Sequence, residues 1–315
     1  RGISKIVSAI ESACAEIALE VKLANISSQG RAHDQKSSFN FSGEKQKTLD
    51  IMANDILKKC CRDCGEINLI ASEEEIEPII GTETGRYIAV FDPLDGSSNI
   101  DASIPTGTIF GIYRKDCDLS DGENILQPGS KMILGGYALY GASTTLVISL
   151  GNGTHSFVLN SEDGKFYLSR NNIKIPRWGK SYSLNEARAS DWPEGLRKYI
   201  SDLKSGRGES KIHYDLIYIC SFVADVHHVL FHGGIASNPR SHLRLIYESN
   251  PMSFVVEQAG GKSSTGKASI LSEVPSHVHQ RIPTFIGSAG DILELEKYGK
   301  LYGGVQQLGN KKYDQ

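Results

Sequence analysis

At 315 residues, 39% hydrophobic and 23% charged, the chain has the composition of a globular protein large enough for two medium domains. Its formal net charge of −3 excludes a broad basic face, and with it nucleic acid or an anionic membrane surface as the main partner. No stretch approaches the roughly 20 apolar residues that span a bilayer, and the opening RGISKIVSAIES lacks a secretory signal, so the expected location is cytoplasmic, with room for an upstream targeting segment before the initial arginine.

Ile3, Ile6, Val7, Ile10, Cys14, Ile17, Ala18 and Val21 recur at helical spacing, which predicts an amphipathic helix over 3–24. Residues 25–42 are polar and read as a loop. A second helix is expected from about 44 to 59, burying Leu49, Met52, Ile56 and Leu57. INLIASEE and RYIAVFDPLD are short β-prone runs that end in acids, a common way for a strand to deliver ligands at its tip. GTIFGIYRK (107–115) reads as another strand. ALYGASTTLVISL, THSFVLN and GKFYLSR follow as a meander that turns at Glu162-Asp163-Gly164. Helical periodicity resumes after Pro193 in PEGLRKYISDLKSG. HYDLIYIC then reads as a strand, and SFVADVHHVLFHGG as a helix closed by Gly233-Gly234. LRLIYESNPMSFVVEQAGGK joins a short extended run to a helix, and TFIGSAGDILELEKYG reads as strand, turn and helix. This order predicts an α/β (mixed α+β) chain of two halves, 1–173 and 174–315, meeting near Lys174.

Cys61 and Cys64 form a C-x-x-C, but no second ligand pair follows, so reduced thiols along a helix end are expected rather than a zinc or redox centre. His228 and His232 share a helical face without an H-E-x-x-H, and no metal role is assigned to them.

The chemistry concentrates in FDPLDGSSNID, residues 91–101. Asp92 and Asp95 lie three apart around Pro93, so one turn can aim both carboxylates at a point. Hard divalent cations require such oxygen clusters. Gly96-Ser97-Ser98 then offers close backbone N–H groups and hydroxyls that can cradle a phosphate. An acidic turn capping a helix fits the same string, and these residues alone leave both readings open. No G-x-x-x-x-G-K-[ST] precedes a helix, so a nucleotide-hydrolase reading lacks its cradle.

The segment resembles the D-P-x-D-G-[ST] signature of the lithium-sensitive, inositol-monophosphatase-like superfamily. Its longer form is similar to the fructose-1,6-bisphosphatase and sedoheptulose-1,7-bisphosphatase branch. The likeness runs on through GTIFGIYRK, LQPG, GGYALYGAST, YSLNEARA, VADVH, LRLIYESNP and EQAGGKSSTGK, nearly the whole chain. It implies a layered αβαβα sandwich of two α/β halves, the sugar-phosphatase fold, and a phosphoric monoester hydrolase. It also implies two or three Mg²⁺ per site, for which Mn²⁺ can substitute, a small sugar bisphosphate as substrate, and a dimer or tetramer.

By position in these motifs, the resemblance assigns the metals to Glu73, Asp92, Asp95, Glu248 and the carbonyl of Leu94. Glu74 shares in that set and, with Asp50 of GEKQKTLD, holds and deprotonates the attacking water. The matching pattern has an acid where this chain has Glu44. Arg244 contacts the transferring phosphoryl group, and Asp95, Gly96, Ser97 and Ser98 border it. Among Glu73, Glu74 and Glu75, the alignment alone chooses the functional pair.

At the far phosphate, the resemblance carries over Asn185 and Tyr218. Other positions depart: Arg188 replaces a tyrosine, Ile217 an arginine, Asn238 a tyrosine and His242 a lysine, and the loop between Gly234 and Leu243 is shortened. An arginine at 188 resembles the sedoheptulose enzymes. With Asn185, Arg188, Tyr218, His242 and Arg244 as substrate contacts, the expected reaction is sedoheptulose 1,7-bisphosphate to sedoheptulose 7-phosphate, with fructose-1,6-bisphosphatase as the alternative. Ile3 to Val7 stand where AMP-regulated relatives carry a Gly/Thr/Glu-rich turn, although Tyr87 and Arg114 match that site. The thioredoxin-regulated insertion of some plastid enzymes is absent. An inositol or nucleotide phosphatase and a catalytically dead sugar-phosphate sensor are the rivals; no family acid is missing, which counts against the sensor.

Overall fold

Two parallel neighbours, Ile67–Ser72 and Tyr87–Asp95, form the part of the fold on which the acidic loop depends. Both are apolar almost throughout because both faces of their sheet are covered. In the computed structural model, which describes residues 2–27, 38–39, 45–46 and 48–302, they lie near one edge of an eight-stranded sheet. The order is Lys165–Arg170, Thr154–Asn160, Thr144–Ser149, Met132–Tyr140, Thr106–Arg114, Tyr87–Asp95, Ile67–Ser72 and Ile79–Ile80. A second sheet of five strands runs Asp215–Leu216, Ser181–Ser183, Ile235–Arg244, Arg281–Gly287 and Lys262–Ser264.

The layers follow from which apolar faces meet. Helices α1 (Gly2–Ser27) and α2 (Thr48–Asp63) cover the outer face of the large sheet, burying Ile6, Ile10, Ile17 and Leu57 against Ile70, Phe91 and Phe110. A short helix, α3 (Asp121–Ile125), follows the strand Thr106–Arg114, and α4 (Glu194–Lys204) belongs to the opposite side of the molecule. Between the sheets lie α5 (Phe222–His232) and α6 (Asn250–Gln258), where Val226, Val229 and Val255 join Tyr137 of one sheet to Ile286 of the other. On the far face, α4 and α7 (Ala289–Lys297) bury Leu196, Tyr199 and Ile292 against Ile235 and Phe285. The result is a mixed α/β sandwich, α-β-α-β-α. Truncating a fully buried residue such as Ile17 to alanine is expected to cost about 2–5 kcal/mol.

Several elements depart from the sequence reading. Helix α2 begins at Thr48, about four residues after the expected start; residue 44 and most of the loop expected over 25–42 lie outside the described residues. ALYGASTTLVISL is two strands, joined across 141–143. HYDLIYIC contributes only the edge strand Asp215–Leu216, because beyond it the Ile219 N–H donates to the Asp225 carboxylate at 2.8 Å and Cys220 takes a left-handed φ of 66°. The expected loop from Gly234 to Leu243 is mostly the strand Ile235–Arg244, whose ladder with Arg281–Gly287 breaks between Asn238 and Leu243.

Candidate active site

Register sets the first pair of acids. Ser72 sits opposite Phe91 in the parallel ladder, so the next residues, Glu73 and Asp92, emerge side by side, and the Glu73 N–H donates to the Phe91 carbonyl at 3.2 Å. The turn beyond is pinned on both sides. Thr108 Oγ1 donates to the Pro93 carbonyl at 2.8 Å, and the Leu94 N–H donates to Asp92 Oδ1 at 3.0 Å. Asp95 Oδ2 accepts the Val223 N–H at 2.8 Å, from the first turn of α5. Glu248 arrives from the wide π-helical turn Leu245–Ser249, and its Oε2 accepts the Arg244 N–H.

One carboxylate oxygen each from Asp92, Asp95 and Glu248 lies within 4.8 Å of the others. Glu73 is within hydrogen-bond reach of Asp92, and its Oε1 lies 2.7 Å from Arg244 Nη2. Burial first, and then the neighbouring carboxylates, pushes Asp92 and Glu248 well above the usual carboxylate range. Burial likewise raises Asp95 to about 7, against the opposing Val223 N–H. Four carboxylates, three buried and Asp95 half-buried, against one guanidinium leave a deficit of positive charge among hard oxygen donors, which suits divalent cations. Leu94 is itself buried in the same turn.

The three glutamates of ASEEE separate by environment. Glu73 turns inward to Asp92 and Arg244. Glu75 Oε1 accepts from Asn54 Nδ2 at 2.8 Å and Lys58 Nζ at 2.6 Å, both on α2. Glu74 lies between them, half-buried, with its N–H on Ser72 Oγ at 3.3 Å. Asp50 is buried one helical turn before Asn54, on the face of α2 that meets this loop.

Gly96 occupies the left-handed region at φ 77°, and a Cβ there would meet Ser221 Oγ at 3.1 Å. That turn opens the 3₁₀ segment Ser97–Ala102, with Ser97 half-buried and Ser98 exposed. Ser221 escaped the sequence reading. Its hydroxyl is buried beside the Gly96 turn with no hydrogen-bond partner among the described residues, and nothing in its local string marks it.

Asn185, Arg188 and Tyr218 line one cleft, together with Asn238 and Arg240; His242 is not among its lining residues. Asn185 Oδ1 accepts the Ala187 N–H at 3.1 Å, and Asn238 Oδ1 accepts the Arg240 N–H at 3.3 Å. Each amide therefore keeps its NH₂ as a donor. With two guanidinium groups and a phenol, the cleft is furnished for an anion. Arg240 was missed because the sequence reading took its segment for a shortened loop; the break in the strand ladder turns Pro239 and Arg240 to the cleft. From Tyr218 to Val223, which holds Asp95, is five residues, or at most about 18 Å of chain.

Among the described residues, no cysteine or histidine belongs to a group of three or more potential metal ligands. Cys61 is buried with its thiol pushed up by desolvation, and Cys64 Sγ donates to the Cys61 carbonyl at 3.1 Å. His228 and His232 stack with ring centroids 4.6 Å apart.

With this geometry in place, the comparisons with known proteins are direct. Residues 1–171 match the family model described as fructose-1-6-bisphosphatase, N-terminal domain, and residues 175–300 the corresponding C-terminal domain. The chloroplastic fructose-1,6-bisphosphatase 1 of Arabidopsis thaliana is 42% identical, covering 93% of this chain and 75% of its own length. The chloroplastic enzyme of Brassica napus is 43% identical over 93% and 76%. A crystal structure of Leishmania major fructose-1,6-bisphosphatase in holo form superposes with a TM-score of 0.87 at 32% identity, covering 94% of each chain.

Proposed function

Because the chain belongs to the fructose-1,6-bisphosphatase family, we propose that it hydrolyses the C1 phosphate of fructose 1,6-bisphosphate, giving fructose 6-phosphate and phosphate, with Mg²⁺ as the metal. Members of this family are metal-dependent phosphatases of sugar bisphosphates. The observation that carries the bisphosphatase reading is the pairing of an acidic centre with a separate arginine-lined cleft, one for the phosphate that leaves and one for the phosphate that stays, and the relatives' names favour the hexose.

Glu73, Glu74, Asp92, Asp95, Glu248 and the Leu94 carbonyl would hold the metals. Bound there, two or three Mg²⁺, or Mn²⁺ in their place, would neutralise charge on the phosphoryl group and make the attacking water more acidic. Glu74 and Asp50 orient the attacking water and accept its proton. Arg244, held between Glu73 and Glu248, presents its guanidinium to the transferring group. The Gly96-Ser97-Ser98 backbone and hydroxyls receive its oxygens. No covalent enzyme intermediate is needed. Asn185, Arg188, Tyr218 and Arg240 grip the far phosphate.

The sedoheptulose preference expected from the sequence rested on Arg188, as in the sedoheptulose enzymes, and on two lost cations, at Ile217 and His242. Arg240 supplies a guanidinium to the same cleft, which offsets the lost cations, and the relatives' names favour the hexose. In domain terms, 1–173 supplies most of the metal centre and 174–315 the sugar cleft, with Arg244 and Glu248 reaching across. The proposed assembly is a dimer or tetramer. No helix among the described residues is long and apolar enough to cross a membrane. The plant relatives' chloroplast names favour a plastid over the cytoplasm expected from composition, and imaging of the tagged full-length gene product tests this.

Phosphate release is the direct test of function, measured with and without Mg²⁺ on fructose 1,6-bisphosphate, sedoheptulose 1,7-bisphosphate and inositol monophosphate. Metal-dependent release fastest from the hexose is expected. A higher kcat/KM on the heptulose would restore the other reading, and activity on inositol monophosphate alone would remove both.

A further inference from the structure

His279 lies far along the chain from every acid of the metal centre, yet it joins the two loops that carry three of them. Its ring is buried and precedes the strand Arg281–Gly287. The backbone there is fixed: the Leu245 N–H donates to the Gln280 carbonyl at 2.7 Å, and Arg244 pairs with Arg281. On one side, His279 Nδ1 lies 2.8 Å from the hydroxyl of Tyr247, the residue before Glu248. On the other, Nε2 lies 3.2 Å from the carbonyl of Ile76, in the loop that follows Glu73 and Glu74. A carbonyl only accepts, so Nε2 carries the proton, Nδ1 accepts, and the Tyr247 hydroxyl donates. Burial lowers the pKa of the ring and favours this neutral form.

The acid loop is thus held from two halves of the molecule. Asn54 and Lys58 of α2 hold the Glu75 side chain from the N-terminal half. His279 holds the Ile76 backbone from the C-terminal half, while the Ile76 side chain itself is exposed. We propose that His279 is a positioning residue for metal binding: through Tyr247 and the Ile76 carbonyl it fixes the spacing between Glu248 on one loop and Glu73 and Glu74 on the other. The inference rests on the metal-centre reading above. It touches neither substrate nor metal, and acts only by setting where the ligands stand. Partners of this kind typically change metal affinity 10–100-fold when removed.

The test uses the full chain and three variants, His279→Ala, His279→Gln and Tyr247→Phe. Glutamine keeps an NH₂ near the Nε2 position and can still donate to Ile76; alanine cannot. Two readouts need no sugar: amide hydrogen exchange in metal-free protein, and calorimetric titration with Mn²⁺ alone. His279→Ala should speed exchange at residues 73–77 selectively and weaken Mn²⁺ binding about tenfold. His279→Gln should restore both, and Tyr247→Phe should show the same pattern at smaller size. Unchanged exchange at 73–77, faster exchange spread evenly over the chain, or Mn²⁺ binding equal to the parent in His279→Ala would each overturn the proposal. Absence of sugar bisphosphatase activity in the parent chain would strike the proposed function instead, because neither readout depends on turnover.

Discussion

The acidic centre and the arginine-lined cleft, which the proposed function assigns to two ends of one substrate, are built in different ways. At the centre, Asp92 and Asp95 come from a single turn, Glu73 from the adjacent strand in register, and only Glu248 and Arg244 from a distant segment. All but the half-buried Asp95 are buried, and their mutual repulsion is held in place by the fold around them. The cleft draws Asn185 and Arg188 from a 3₁₀ segment, Tyr218 from the loop before α5, and Asn238 and Arg240 from an interrupted strand. It is more open, and its charges sit nearer water. Chemistry that needs fixed charge in a dry site is committed to strand ends; recognition of a phosphate that does not react is left to loops that can change with the sugar.

That contrast makes the largest expected effect a loss at the centre. Asp92→Asn keeps the volume but removes a metal-binding charge, and a lost contact of this kind costs several kcal/mol of transition-state stabilisation, a fall in kcat on the order of a thousandfold or more. The metal-free variant should melt no lower than the parent, since it sheds a buried like charge. Near-parental kinetics at saturating Mg²⁺ would remove Asp92 from the site.

Arg188→Ala and Arg240→Ala act at the other end. A charge-assisted hydrogen bond is worth about 1.5–3 kcal/mol, so each should raise KM for the bisphosphate roughly 10- to 100-fold with kcat largely kept. A fall in kcat with unchanged KM would mean that the cleft serves the chemistry rather than the grip.

The pH response sharpens the contrast further. The Asp95 carboxyl is raised by burial to about 7, so below that pH a proton competes with the metal. The Mg²⁺ concentration for half-maximal rate should therefore climb as pH falls from 8 to 6, by up to about tenfold per unit. A metal requirement flat across that range would contradict this environment for Asp95.

The smallest effect concerns effectors. Lithium should inhibit at millimolar levels by competing for a metal position. AMP should change the rate less than twofold, because at the start of α1 Lys5 and Arg86 are already engaged by Glu66, at 3.0 and 3.1 Å. Micromolar AMP inhibition would show that this cluster opens to a nucleotide.

The same difference explains what the sequence revealed. Asp92, Asp95 and the phosphate-cradle glycine are contiguous, and strand ends expose such strings directly. Glu73, Glu74 and Glu75 look alike as residues, and only the family resemblance chose among them; in the structure Asn54, Lys58 and Arg244 set their environments apart. Arg240 escaped notice because a break in a strand ladder looks like a short loop, and HYDLIYIC looked like a full strand because its interruption depends on the distant Asp225. His242, chosen by position alone, does not line the cleft that the other contacts share. Helices α1, α5 and α6 were readable because one apolar period governs each.

The claim that one phosphate reacts while the other is held is tested most directly by a ratio. It is kcat/KM for fructose 1,6-bisphosphate divided by that for fructose 1-phosphate, in the parent and in an Arg188→Ala/Arg240→Ala variant. A parent ratio of about 100 or more that collapses toward one in the double variant, with turnover of the monophosphate unchanged, is the predicted result. A parent ratio near one, or a ratio that survives loss of both arginines, would contradict it.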